Sequence, residues 1–418
     1  MISAVLCAAL ALVGSTRERD FGGDRYTPIP LTGDWGGLRT ELRDRGFTLD
    51  LRYLAEFMGA FAPAGAEGAD YLGHLDLGFT LNFEKLTQTP GLSLRASIIG
   101  DHGGVPSNRI GAFQYLSNIE AIPQVRLYEL FLQQDLLDGG LSLLAGLYDL
   151  NGEFQVSAVS ALFVHSSHGI GGALGNSGRN GPSIFPVTGL AVRVRIQAEN
   201  LGYLMVAAMD AVPGDPEGPS FANFRLSGDE GVLLIAEIGR EHSQSDLPEM
   251  SAPLMSWNAP VRAGYWKAAL GAWQYSGGVP DPRDAEGRVL RPGAYGFYGL
   301  VEARLWSEEE AVQGLSAFLR VEGTRALAAP IDAFLGAGLV YRGLFPGRDF
   351  DQFGVAVAMG APAAELPGAN RVEHAYELSY RAGLWNGIAL KASFQVVGNA
   401  GFSREMAGVG SGRLIFRL

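Results

Sequence analysis

Apolar and polar residues alternate with period two along most of the chain. Leu49, Leu51, Tyr53 and Phe57 alternate with Asp50, Arg52 and Glu56, and Leu75, Leu77, Phe79, Leu81 and Phe83 with His74, Asp76, Thr80, Asn82 and Glu84. The spacing returns at Leu190, Val192, Val194 and Ile196 against Arg193, Arg195, Gln197 and Glu199. It returns again at Tyr376, Leu378 and Tyr380 against Glu377, Ser379 and Arg381. A strand turns successive side chains to opposite faces, so the pattern predicts strands with one apolar and one polar face rather than helices of period 3.6. Sixteen such segments are legible, at 47–57, 71–84, 91–100, 126–136, 139–148, 188–198, 202–209, 231–241, 261–276, 295–305, 315–325, 333–343, 351–361, 373–383, 388–397 and 408–418. An even count of short amphipathic strands is what a single-chain outer-membrane barrel requires, since lipid takes one face and water the other.

Connection lengths agree. If the first strand starts on the periplasmic side, the outer connections are the long ones, at 58–70, 101–125, 149–187 and 210–230, while 137–140 and 200–201 are tight turns. The connection 242–260 is long on the side that should be short, which marks a periplasmic insertion or a miscount there. Before the first strand, Leu38 and Leu42 stand at helical spacing within 33–46, predicting a short helix near the barrel mouth.

Composition supports export into a membrane. Of 418 residues, 58 are Gly and only 18 % are charged, both unlike a soluble enzyme of this size. The net charge of −12 and the absence of a Lys/Arg block exclude nucleic acid as partner. The single cysteine, Cys7, lies in an apolar run ending at Gly14 and Ser15, which reads as a signal peptide over 1–15, so no disulfide framework or CxxC metal site is available. Beyond it, no run of 18 apolar residues could form a membrane helix. The expected organisation is a signal peptide (1–15), an N-terminal segment with a short helix (16–46) and an outer-membrane β-barrel (47–418). The fold class is all-β: a transmembrane antiparallel β-barrel with an in-folded constriction loop.

In a barrel surrounded by lipid the inward positions line water, so inward charges are the candidate selectivity residues. Arg52, Arg95, Glu129, Arg193, Arg195, Glu237, Lys267, Glu302, Arg304, Arg320, Glu322, Glu377, Arg381 and Lys391 fall there. Arg95, Glu129, Arg193, Arg195, Arg320, Glu322, Glu377 and Arg381 are the candidates for lining the pore and binding sugar. Both signs are interspersed, and paired guanidinium and carboxylate groups offer directed donors and acceptors to a neutral polyol, whereas an ion funnel would favour one sign. The segment 149–187 is too long for a plain hairpin loop and carries Phe163, His165, Ser166, Ser167 and His168, the candidate constriction. Its Ser and His residues lack a GxSxG elbow, and two His at this spacing on a loop make a weak metal site, so neither catalysis nor metal binding is expected. Trp35, Tyr53, Tyr71, Tyr128, Trp266, Tyr298, Trp306, Tyr376 and Tyr380 fit the aromatic girdles at the membrane interfaces, leaving Phe131 and Phe163 as candidate stacking rings.

Several separated segments, LTGDWGGLRTELRDRGFTLDLRY at 31–53, LSNIEA at 116–121, RLYELFLQQ at 126–134, LFVHSSHG at 162–169 and EHAYELSYR at 373–381, make the chain similar to the carbohydrate-selective porins of the OprB family. GDWGG is the most specific of these. The resemblance implies a sixteen-stranded barrel in the outer membrane of a Gram-negative bacterium, passing mono- or small oligosaccharides by diffusion through a charged constriction, without a cofactor. By motif position it implies that Glu129 and Glu377 line the pore and that His165, Ser166 and Ser167 belong to the constricting loop. Two departures stand out: His168 where the family often has an aromatic residue, and Leu418 where outer-membrane barrels commonly end on an aromatic. No surface-layer homology segment is recognised, which makes the cell-wall-anchored relatives a poorer match. The expected partners are carbohydrate solutes and outer-membrane lipid, with homotrimer and monomer both open. A general diffusion porin, a plugged structural barrel and a lipase-type barrel enzyme remain as alternatives.

Overall fold

The computed structural model describes residues 30–418 apart from 62–66, 199–200, 216–217, 219, 227, 243–260, 282–283, 285–288, 309–312, 326–328, 365, 367 and 404–405. The expected signal peptide and nearly all of the 242–260 connection lie outside the described residues.

The strands are β1 (Phe47–Phe61), β2 (Gly68–Asn82), β3 (Leu92–Gly103), β4 (Gln124–Leu136), β5 (Leu141–Tyr148), β6 (Gly189–Ala198), β7 (Gly202–Asp210), β8 (Val232–His242), β9 (Trp266–Tyr275), β10 (Val279–Pro280), β11 (Leu290–Arg291), β12 (Tyr295–Ser307), β13 (Gly314–Thr324), β14 (Ile331–Arg342), β15 (Gln352–Pro362), β16 (Glu373–Trp385), β17 (Ile388–Gly398) and β18 (Met406–Arg417). All but β10 and β11, which pair only with each other, form one closed antiparallel barrel of neighbours in sequence. β1 closes it against β18, with Tyr53 opposite Phe416 and Glu56 opposite Arg413. Closure leaves no strand edge, which a lipid-embedded sheet requires because the hydrocarbon offers no hydrogen-bond partner.

Period two then sorts the side chains. Phe57, Leu270, Phe297, Leu319 and Phe394 face outward and exposed, while Glu56, Glu237, Arg320, Glu377 and Arg413 are buried within the barrel. β9 starts at Trp266, five residues later than the alternation suggests, because 261–265 turns into the lumen: Gly264 has φ +79° and Tyr265 donates to Glu302 Oε1 at 2.5 Å. The helix Leu38–Asp44 sits at the terminal end of the barrel, where Arg39 donates to the Leu418 carbonyl at 2.8 Å. Short turns lie mostly at that end and long connections at the other, so by the usual asymmetry the termini face the periplasm. Among the described residues no helix is long and apolar enough to cross a membrane; the strands do so.

Two of the long outer connections fold back into the lumen. The connection 149–188 holds four short helical turns, Leu150–Gly152, Ser160–Leu162, Ser166–His168 and Gly172–Gly175. The connection 104–123 crosses it, with Asn118 N donating to the Val164 carbonyl at 2.8 Å and Ser166 N to the Tyr115 carbonyl at 3.0 Å.

Candidate functional site

An in-folded segment of short turns has few internal hydrogen bonds, so its buried N–H and C=O groups need partners elsewhere. The inward charges of the wall supply them. Glu237 accepts from Gln155 N at 2.9 Å and from the hydroxyls of Tyr203 and Tyr298 at 2.7 Å each. Glu302 accepts from Ser157 Oγ, Ala158 N and Val159 N at 2.5, 3.1 and 3.0 Å. Glu322 takes Ala173 N and Leu174 N at 2.9 and 3.1 Å, and Glu377 takes Val164 N and His165 N at 2.7 and 2.9 Å. The cations serve the carbonyls: Arg320 donates to Ser167, His168 and Gln155 at 3.1, 3.3 and 2.7 Å, Lys267 to Val156 at 2.7 Å and Lys391 to Ala161 at 3.3 Å. Charge-assisted bonds of this kind are roughly twice as strong as neutral ones. The fit is close: a Cβ added to Gly171 would lie 1.8 Å from Glu322 Oε1, and one added to Gly354 would lie 2.9 Å from the Phe163 ring.

Seated this way, the loop leaves a cavity of about 530 Å³ between itself and one side of the barrel. The barrel-strand residues lining it are Arg52, His74, Asp76, Ile99 and Tyr128, all from β1–β4; Pro280 of the small β10–β11 pair also reaches it, and the connections add Asn118, Glu120, Asp149, Ser166, Ser167 and His168 among others. Arg52 pairs with Asp76 at 3.1 Å, and His74 Nδ1 lies 2.7 Å from Asp101 Oδ1. Burial first, and the Glu129 carboxylate second, push the Asp149 carboxyl up to about 7, against the Tyr128 hydroxyl and Asn151 N–H that favour its charged form. Burial likewise pushes Glu120 up to about 7 despite its bonds from Ser107. His165 is lowered to about 4 by burial, and His168 well below its ordinary value by burial, His165 and Arg320, so both imidazoles are neutral at neutral pH.

The residues singled out from sequence distribute unevenly about this cavity. Phe163, Ser166 and Ser167 line it, as does His168; His165 is buried behind them, its backbone held by Glu377. None of the eight wall candidates is among the lining residues. Arg320, Glu322 and Glu377 bind the loop backbone instead. Arg95 donates to Glu129 at 2.8 Å behind Asp76, and Arg193 holds Glu153 at 2.8 and 3.1 Å. Arg195 lies 5.0 Å over the Tyr203 ring, and Arg381 sits in register with Gln352 of β15 and Lys391 of β17. Two residues assigned to the aromatic girdles belong inside. Tyr298 is buried against Glu237, and Tyr128 is the extra residue of a β-bulge opposite Ser97 and Ile98, which turns it into the lumen beside Glu129. Phe131 packs edge-on against Tyr148 at 5.8 Å, away from the cavity.

The family described as "Carbohydrate-selective porin, OprB family" matches residues 66–410, most of the chain. The chain belongs to that family. It is therefore a carbohydrate-selective porin of the Gram-negative outer membrane, a channel rather than an enzyme. Porin B of Pseudomonas aeruginosa is 25 % identical over 351 residues, covering 78 % of this chain and 73 % of that protein. The high-pH structure of Pseudomonas putida OprB superposes with a TM-score of 0.79 at 20 % identity, over 94 % of this chain and all of the other. The low-pH structure of the same protein gives 0.59 at 17 % identity over the same share of this chain and all of its own. The outer membrane channel DcaP of Acinetobacter baumannii gives 0.52 at 10 % identity, over 89 % of this chain and 98 % of its own. These superpositions show the shared barrel fold.

Proposed function

We propose that sugars cross this porin between the in-folded loop and the β1–β4 wall. Arg52, Asp76, Tyr128, Asn118, Asp149, Ser166, Ser167 and His168 would replace part of the hydration shell there. The supporting observation is the character of that lining: Arg52 and Asp76 neutralise each other, Asp149 and Glu120 are pushed up to about 7, His168 is neutral, and the exposed Arg179 offsets what charge the two acids carry. A lining rich in directed donors and acceptors but low in net charge suits a neutral polyol better than an ion, and weak multi-site contacts allow the solute to leave. In this reading Arg320, Glu322 and Glu377 act on sugar passage by fixing the loop, while Arg95 and Glu129 back the Asp76 wall. Arg193, Arg195 and Arg381 keep a wall role.

Passage needs no covalent step. An activated serine requires a hydrogen bond from its hydroxyl to a base, whereas both ring nitrogens of His168 and Nδ1 of His165 have no hydrogen-bond partner among the described residues. Reconstitution in a planar bilayer tests the reading: neutral sugars at millimolar concentration are expected to block stepwise KCl current. Open steps without block would make it a general diffusion pore, and stable insertion without current would favour a plugged barrel.

A further inference from the structure

The lumen also presents an apolar surface to water, apart from the contacts that seat the loop. Phe113 and Tyr115, from the 104–123 connection, line the cavity and are 36 % and 50 % exposed. Outward rings of the barrel meet lipid, but these two face the solute path, where exposed aromatic area is unfavourable unless something covers it. Their mounting is rigid. Phe113 stacks on the buried ring of Phe402 at 4.9 Å and 26°. Glu373, the first residue of β16, accepts from Phe113 N, Gln114 N and Gly401 N at 3.1, 2.8 and 2.7 Å, so both ring-bearing segments hang from one carboxylate at the outer end of the barrel. The Tyr115 carbonyl takes Ser166 N at 3.0 Å, which joins the surface to the constriction itself. Asn118 and Glu120 follow within the same connection and line the same cavity.

A flat apolar surface with hydroxyl partners beside it matches one feature that sugars and other small polyols do not share. A pyranose with equatorial hydroxyls carries its axial C–H bonds on flat faces, and those weakly positive hydrogens suit the negative face of an aromatic ring. An open-chain alditol offers hydroxyls of the same kind, one more in number, and no such face. We propose that Phe113 and Tyr115 form a stacking subsite at the outer mouth, and that the porin consequently favours cyclic aldohexoses over alditols of equal size. The inference rests on the sugar-pore reading above and narrows its substrate class.

The test compares current block by D-glucose and D-glucitol in the same bilayers. The wild-type protein is expected to bind glucose roughly three- to ten-fold more tightly, the range a stacking contact supplies. Phe113→Leu combined with Tyr115→Leu keeps apolar bulk without rings and should bring the ratio close to one, because both solutes then meet only the hydroxyl partners that remain. Phe113→Tyr should preserve the preference. Equal block by the two solutes in the wild type, or an unchanged ratio in the double variant, would overturn the stacking subsite and leave the sugar pore standing. Block by neither solute would overturn the sugar-pore reading and this inference with it.

Discussion

Along β7, β8 and β9 most inward residues are apolar: Met205, Ala207, Met209, Leu233, Ile235, Trp273 and Tyr275 are buried in one cluster with Leu150, Phe154 and Leu174 of the in-folded loop, and Glu237 and Lys267 are charged exceptions that bind the loop backbone. Along β1, β2 and β3 they include Arg52, Glu56, His74, Asp76, Arg95 and Asp101, several of which line the cavity. The same loop thus meets a dry wall on one side and a wet one on the other. Asymmetric filling narrows the lumen: hydrophobic burial holds the loop against β7–β9, charges on β8, β9, β12, β13, β16 and β17 satisfy its backbone, and the proposed solute path is left the β1–β4 side. An inward charge in this barrel therefore has one of two unlike tasks, and its position around the barrel decides which.

The comparison is broken most severely from the dry side. Leu174→Asp would place a second carboxylate beside Glu322 in an apolar site, where an unpaired buried ion costs several kcal/mol. The loop is expected to leave its seat, raising open-channel current by roughly two-fold or more. Smaller, and of a different kind, is Glu377→Ala, which strands the Val164 and His165 N–H groups at about 1–3 kcal/mol each. Rapid current flicker and protease cleavage within 149–187 would report it, and Glu377→Gln, which retains one acceptor, should fall between. On the wet side, Asp76→Asn should leave flicker and protease resistance unchanged and weaken sugar block by roughly three- to ten-fold, the difference of about 1 kcal/mol between a charge-assisted hydrogen bond and a neutral one. The smallest effect is that of pH. Asp149 and Glu120, both near 7, are neutral below that value and charged above it, so cation preference in KCl gradients should rise between pH 6 and 8. Asp149→Asn combined with Glu120→Gln should flatten the profile.

Period-two alternation made the barrel legible because lipid and lumen impose opposite demands on neighbouring residues. All sixteen strand segments correspond to strands of the closed sheet, most within three residues at each end. The site was legible only in part, because the face of a side chain follows from local period whereas its partner depends on where a distant loop comes to rest. Glu377 and Arg320 are inward, as their spacing implies, yet nothing in that spacing distinguishes a carboxylate that meets solute from one that meets Val164 N. Tyr128 escaped because a one-residue bulge reverses parity. Asp149, Asn118 and Glu120 lie in connections with no period to read. The shared segment LSNIEA at 116–121 was the available signal for that last group, since it crosses the constriction loop and carries four of the lining residues, Ser117, Asn118, Ile119 and Glu120.

Single-cysteine accessibility tests the two-sided lumen most directly, since Cys7 is the chain's only cysteine and falls in the expected signal peptide. Asp76→Cys and Ile235→Cys would each be exposed to a small charged methanethiosulfonate reagent during single-channel recording. A prompt stepwise change in current is expected at position 76 and none at 235. Modification of both positions at similar rates would mean that water reaches the β7–β9 side as freely as the β1–β4 side, and would contradict the two-sided lumen.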